Sequence, residues 1–210
     1  MFIELVEVLR CVRQHDESWL VASIGTMRER SILTGALGCP VCGAQYPVAD
    51  GVVDFSGGSA GARRTTDGQS DEDLALRAGA FLGLAESAVD SLVVLGGSWA
   101  RGAAVLTSVT GARAIGVNAA PGVAESPSVG LVLSAERLPL GKASCAGVAL
   151  DDSFGEGAME SAIACLKPGG RIVAPSGMES PQAVNVLARD RNYWVGEKAA
   201  EVTPLRRANR

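Results

Sequence analysis

Downstream of residue 70 the apolar positions alternate between helical spacing and short continuous runs. Leu74, Ala78, Phe81, Leu82, Ala85 and Val89 recur at helical spacing. Ser70 stands where an N-cap belongs, and Asp71, Glu72 and Asp73 complement the positive end of a helix dipole. Then follow an apolar strand ending in glycines, SLVVLGG (91–97), and a helix, WARGAAVLTSV (99–109). RAIGV (113–117), VGLVL (129–133) and AGVAL (146–150) read as three more strands, and EGAMESAIACL (156–166) as a helix. RIVAP (171–175) is a fifth strand, and PQAVNVLARD (181–190) a helix with Pro181 near its first turn. NYWVGE (192–197) and AEVTPL (200–205) read as two last strands, open to pairing as a hairpin. Alternating strand and helix predicts an open, mostly parallel α/β sheet.

Upstream the pattern differs. MFIELVEVL reads as a first strand, and SWLVASIGTMRERSILTGAL as a small hairpin or meander. Residues 56–70, SGGSAGARRTTDGQS, are rich in Gly and Ser and show no apolar period. The division expected is therefore a small β-rich domain over 1–56, a linker over 57–70 and an α/β domain over 71–210. With 47% hydrophobic but only 4% aromatic residues, the core must be Val, Leu, Ala and Ile. A net charge of −4 argues against a large nucleic-acid surface. The basic end, with Arg206, Arg207 and Arg210, reads as a solvated tail. No run approaches the roughly 20 apolar residues of a membrane span. MFIELVEVLRC carries two glutamates and makes a poor signal peptide. The expected location is cytoplasmic, where five cysteines suit a metal or buried thiols better than disulfides.

Four residues form the first candidate site. Cys39 and Cys42 make a C-x-x-C in GCPVCG, and Cys11 and His15 offer two further ligands. Together they would close a Cys3His tetrahedron around one zinc ion, a structural arrangement with no position left for chemistry. A redox pair is the alternative for the C-x-x-C, but it does not open a helix of a βαβ unit. A segment under 60 residues has little core, so a metal staple suits it. Cys39, Pro40, Cys42, Tyr46, Pro47, Val48, Asp50, Gly51 and Val52 resemble the second knuckle of the zinc-ribbon family of the small methyltransferase-activating subunit. The likeness spans about residues 5–56. It departs at the first knuckle, where many bacterial members carry C-x-x-C and this chain has Cys11 and His15.

The remainder resembles the class I S-adenosylmethionine-dependent methyltransferases, which implies a Rossmann-like fold with helices on both faces of a mostly parallel sheet. CLKPGGRIVAP (165–175) carries the clearest match, with SAERLPLGKASCAGVAL (134–150) and SLVVLGGSWARGA (91–103) beside it. In that family a glycine-rich turn admits the cofactor, and acids after the second and third strands bind ribose and adenine. Here the first-motif acid falls at Val94. Gly96 is kept, but the next glycines fall at Ser98 and Ala100, with Trp99 between them. The ribose acid falls at Asn118 and the adenine acid at Ser134. Losing even one charged hydrogen bond costs about 1.5–3 kcal/mol. The resemblance therefore implies a pseudo-enzyme: structural zinc, no S-adenosylmethionine bound at the degenerate positions Gly96, Asn118 and Ser134, no catalytic residues, and a scaffold or accessory role with a protein partner. That partner would be an active methyltransferase or a larger assembly. Two alternatives stay open: an active methyltransferase with an atypical pocket, and a binder of another nucleotide or metabolite. Asp151 and Asp152 follow the fourth strand and read as turn caps or as a general base. Cys145 and Cys165, in apolar surroundings, read as buried thiols.

Overall fold

The structure is a computed structural model that describes residues 1–58, 69–84, 88–89 and 91–200. Residues 59–68 of the expected linker, Ala85 of the helical pattern, and residues 201–210, with most of AEVTPL and the three terminal arginines, lie outside the described residues.

Each central apolar run becomes a strand because both its faces are covered. These are β5 (Leu92–Gly96), β6 (Arg113–Val117), β7 (Val129–Leu133), β8 (Cys145–Ala149) and β9 (Leu166–Pro175). They lie in the order β7-β6-β5-β8-β9, all parallel. This is the doubly wound arrangement that reverses beside its first strand and leaves a crevice at the carboxyl ends. The last position is a hairpin: β11 (Tyr193–Lys198) runs antiparallel to β9, and β10 (Val184–Arg189) antiparallel to β11. The strand expected over 192–197 thus forms, but its hairpin partner precedes it. The helix expected over 181–190 is corrected to β10. Asp190 Oδ1 accepts the N–H groups of Asn192 and Tyr193 at 2.7 and 2.8 Å, a tight turn that folds the run back as a ladder.

Side chains alternate across the sheet and feed two cores. Val93 and Leu95 face α1 (Asp71–Leu82), α2 (Ala103–Thr110) and Trp99. Leu92 and Val94 face α3 (Glu156–Cys165) and the N-terminal segment. Helices therefore cover both faces, as expected. The Ser70 hydroxyl caps α1 by accepting the Asp73 N–H at 3.1 Å, and Gly83, at φ 65°, ends it. The helix expected from Trp99 starts later, at Ala103, because Gly97–Gly102 is a 3-10 turn. No helix among the described residues is long and apolar enough to cross a membrane.

The expected first strand is also corrected. Ile3–Glu7 is a 3-10 helix, and Phe2 and Leu9 make only isolated bridges, to Ser31 and Leu140. Met1, Leu5 and Leu9 form a buried apolar stripe. The connections on either side of β7 contain no helix, and this stripe fills the space. It lies on Gly130 of β7, where a Cβ would run into Leu5 Cδ1.

Strands β1 (Val21–Arg28), β2 (Ser31–Gly38), β3 (Gln45–Ala49) and β4 (Val52–Asp54) form an antiparallel meander. The meander is not detached. β4 pairs in parallel with β7 through Val52–Leu131, Val53–Val132 and Asp54–Leu133. The result is one eleven-stranded sheet ordered β1-β2-β3-β4-β7-β6-β5-β8-β9-β11-β10.

Candidate metal centre and crevice

The meander brings Cys11 and His15 to Cys39 and Cys42, with ligand atoms all within 4.8 Å of one another. Cys39 and Cys42 flank a tight turn. The Cys39 N–H donates to Ala44 O at 2.8 Å, the Gly43 N–H donates to Cys39 O at 2.9 Å, and Gly43 adopts φ 71°. Cys11 and His15 come from an irregular loop before β1.

The spacings suit a tetrahedral ion. Zinc–sulfur bonds of about 2.3 Å and zinc–nitrogen bonds of about 2.0–2.1 Å give tetrahedron edges of roughly 3.8 Å between sulfurs and 3.6 Å between sulfur and nitrogen. Cys11 Sγ lies 3.6 Å from Cys42 Sγ, and Cys39 Sγ lies 3.4 Å from His15 Nε2. His15 Nδ1 sits 2.6 Å from Asp16 O, so the ring donates there and turns the Nε2 lone pair toward the sulfurs. That same carbonyl is the main reason why the His15 pKa is raised. Burial pushes the Cys39 thiol up, but the backbone N–H groups of Cys42 and Val41, then the Cys42 and Cys11 thiols, outweigh it and bring it down to about 7. Three soft sulfurs and one imidazole form a donor set that fits zinc.

Sequence reasoning gave Tyr46 no role at this centre. Its hydroxyl lies 2.9 Å from Cys11 Sγ and accepts the Val12 N–H at 3.4 Å. Burial, then the Cys11 contact, pushes the phenol pKa up. Only the position of Tyr46 within the knuckle motif hinted at it.

Gly96, Asn118, Ser134 and Asp151 stand at the carboxyl ends of β5, β6, β7 and β8. Gly96 ends β5, and a Cβ there would come within 2.6 Å of Phe154 and 3.0 Å of Leu150. Beyond it, Gly97, Ser98, Trp99, Ala100 and Gly102 are all buried. Trp99 packs on Phe81 and Tyr193, with ring centroids 6.3 and 5.2 Å away, and its indole N–H donates to Leu150 O at 3.2 Å. Asp151 closes the same turn. Its carboxylate accepts the Ser98 N–H at 2.6 Å, the Ser153 N–H at 3.1 Å and the Ser153 hydroxyl. Asp152 is exposed.

Asn118 and Ser134 come together, and they satisfy each other. The Asn118 amide donates to Ser134 O at 2.7 Å, and its carbonyl accepts the Ser134 N–H at 2.9 Å. The Ser134 hydroxyl turns away to Arg137 O. Asn118 holds φ 53°, a left-handed conformation that asparagine tolerates. Val94 is fully buried inside β5. Cys145 and Cys165 are buried thiols with sulfurs 3.4 Å apart, and the Cys165 contact together with burial raises the Cys145 pKa well above its ordinary value.

No family model matches the chain, and no curated protein matches it by sequence. Solved structures resemble parts of it. The YcgJ protein from Bacillus subtilis is 22% identical over 46% of this chain and 48% of its own, with a TM-score of 0.37. A geranyl diphosphate methyltransferase in complex with S-adenosylmethionine is 19% identical over 53% and 55%, at 0.40. A complex between a Haloferax volcanii methyltransferase activator and a methyltransferase is 19% identical over 50% and 54%, at 0.37. The chain spans about half the length of these structures.

Proposed function

We propose that this chain is a non-catalytic, methyltransferase-like protein that works as a scaffold or accessory subunit for a protein partner. In this reading residues 1–56 are a zinc ribbon, 57–70 a linker and 71–210 the methyltransferase-like part, in the cytoplasm. One observation carries it. The side chain of Asn118, the position expected to hold ribose, spends its donor and its acceptor on the backbone of Ser134, the position expected to hold adenine, and the Ser134 hydroxyl donates to Arg137 O. A cofactor there would have to break both bonds without a carboxylate to repay them. Phe154 and Leu150 pack against Gly96 so closely that even a Cβ there would come within 2.6 and 3.0 Å of them.

Cys11, His15, Cys39 and Cys42 would hold one zinc ion in closed coordination. The ion would then contribute folding free energy and perform no reaction. The partner would be a methyltransferase or a larger assembly.

The test is calorimetric titration of purified protein with S-adenosylmethionine and S-adenosylhomocysteine, with zinc measured on the same sample. The expectation is one zinc per chain and no heat up to millimolar cofactor. Micromolar binding would overturn the pseudo-enzyme reading and favour an active methyltransferase.

A further inference from the structure

Tyr46 lies on β3 with 6% of its surface exposed, and its ring rests on Phe55 with centroids 4.4 Å apart. The packing fixes where its oxygen sits. That oxygen accepts the Val12 N–H, so its own proton is free to point elsewhere, and the Cys11 sulfur is 2.9 Å away. The turn that holds Cys39 and Cys42 is organised by its own backbone bonds, whereas Cys11 leads an irregular loop. Three thiolates and a neutral imidazole around a dication leave the centre with one net negative charge. An O–H aimed at a thiolate takes up part of that charge and fixes the ligand's orientation.

We propose that the Tyr46 hydroxyl is a positioning partner of the metal centre, donating to Cys11 Sγ and setting both the affinity for the ion and the electron density on that sulfur. The proposal rests on the zinc reading above. It makes β3 part of the ligand-holding machinery: Tyr46 joins the first knuckle, through Cys11 and Val12, to the strand that follows the second.

The test compares the full-length chain with Tyr46→Phe, using Co(II) as an optical probe of the thiolates. Phenylalanine keeps the ring packing and removes only the hydroxyl. The expected variant binds one Co(II) per chain about 10- to 100-fold more weakly in competition with a chelator. Its sulfur-to-cobalt charge-transfer band is shifted, and its melting temperature without metal falls by no more than the few degrees that losing the acceptor of the Val12 N–H accounts for. An affinity within twofold of wild type, with the band unmoved, would overturn the role given to Tyr46. A wild-type chain that takes up no Co(II) or Zn(II) would overturn the metal reading itself, a result distinct from a loss confined to the variant. A second measurement leaves Tyr46 untouched. Tyr193→Phe makes Tyr46 the last of the two tyrosines, and its ultraviolet absorption should shift when optically silent Zn(II) is added. No shift would count against the proposal.

Discussion

The substitution Asn118→Asp would place a carboxylate where the methyltransferase resemblance expects the ribose acid, so it tests directly what the Asn118–Ser134 bonds contribute. The backbone is not the obstacle, because aspartate tolerates the left-handed φ of 53° as asparagine does. The side chain is. The new carboxylate would keep the acceptor for the Ser134 N–H, but the amide that donates to Ser134 O at 2.7 Å would become a second oxygen. Losing that bond and leaving a carbonyl without its donor costs about 1–3 kcal/mol. For a chain of this length that corresponds to a fall of about 2–12 °C in melting temperature, at roughly 2–4 °C per kcal/mol. The deficit must depend on pH. Only the protonated acid can donate as the amide does, so folding raises its pKa above the ordinary value of about 3.9. A raised folded-state pKa means stability fully present below about pH 3.9 and lost as pH rises through the folded value. The variant should therefore approach wild type near pH 4 and fall behind it by pH 8. Urea unfolding of both proteins at the two pH values reads this directly. Equal midpoints at pH 8, or a variant that acquires S-adenosylmethionine binding, would refute the reasoning.

Other expectations follow from the same geometry. Stripping zinc with a chelator should lower the melting temperature, and Cys39→Ser should do so even in added zinc; a chelated sample melting with the untreated one would contradict both. Metal should leave as pH falls, because protons compete for the thiolates, and reloading of the stripped chain should slow below about pH 7, where the Cys39 thiol gains its proton. Zinc content after dialysis across pH 5–8 checks the direction. Leu5→Ala should cost about 2–5 kcal/mol, because a fully buried side chain would vanish from the stripe on Gly130; a shift under 1 kcal/mol in urea would mean that the segment is not docked there in solution. Gly97→Ala should destabilise by at least about 1–2 kcal/mol, since φ is 62° and the added Cβ would meet the Asp151 carboxylate. Calorimetry that found it neutral would put the turn in doubt.

The parallel strands were legible because each is a short apolar run, and burial on both faces leaves little else for such a run to be. The Ser70 cap was legible because capping is local. Val184–Arg189 was not: its apolar residues fit either period, and the tight turn at Asp190 and the strand beyond it made the choice. The run MFIELVEVL read as a strand, and the 3-10 helix over Ile3–Glu7 could not be read, because the space over Gly130 that Leu5 fills is a property of β7, far away in sequence. Around the metal centre, cysteine spacing suggested the four ligands that the meander brings together. The Tyr46 contact could not be read, since it depends on where a ring is packed. Asn118 and Ser134 stood out because the methyltransferase resemblance expects acids there, but the bonds those residues make to each other could not be read. For Asp151 the sequence leaves a turn cap and a general base open, and the structure shows its carboxylate accepting the Ser153 N–H. Its bond to Ser98 crosses to a different loop.

The pairing of Val52–Asp54 with Leu131–Leu133 has a bearing on synthesis. At about 5–20 residues per second, the ribosome needs roughly 4–16 s to make the stretch between these partners. Before β7 is complete, Cys11, His15, Cys39 and Cys42 have left the tunnel and, in the zinc reading, can close on an ion. Phe2 and Leu5 cannot yet be sheltered, because Gly130 of β7, on which they come to rest, has not been made. In the zinc reading, nascent chains thus carry a closed clasp and a bare apolar patch together, so holding factors are needed earliest at the amino-terminal end.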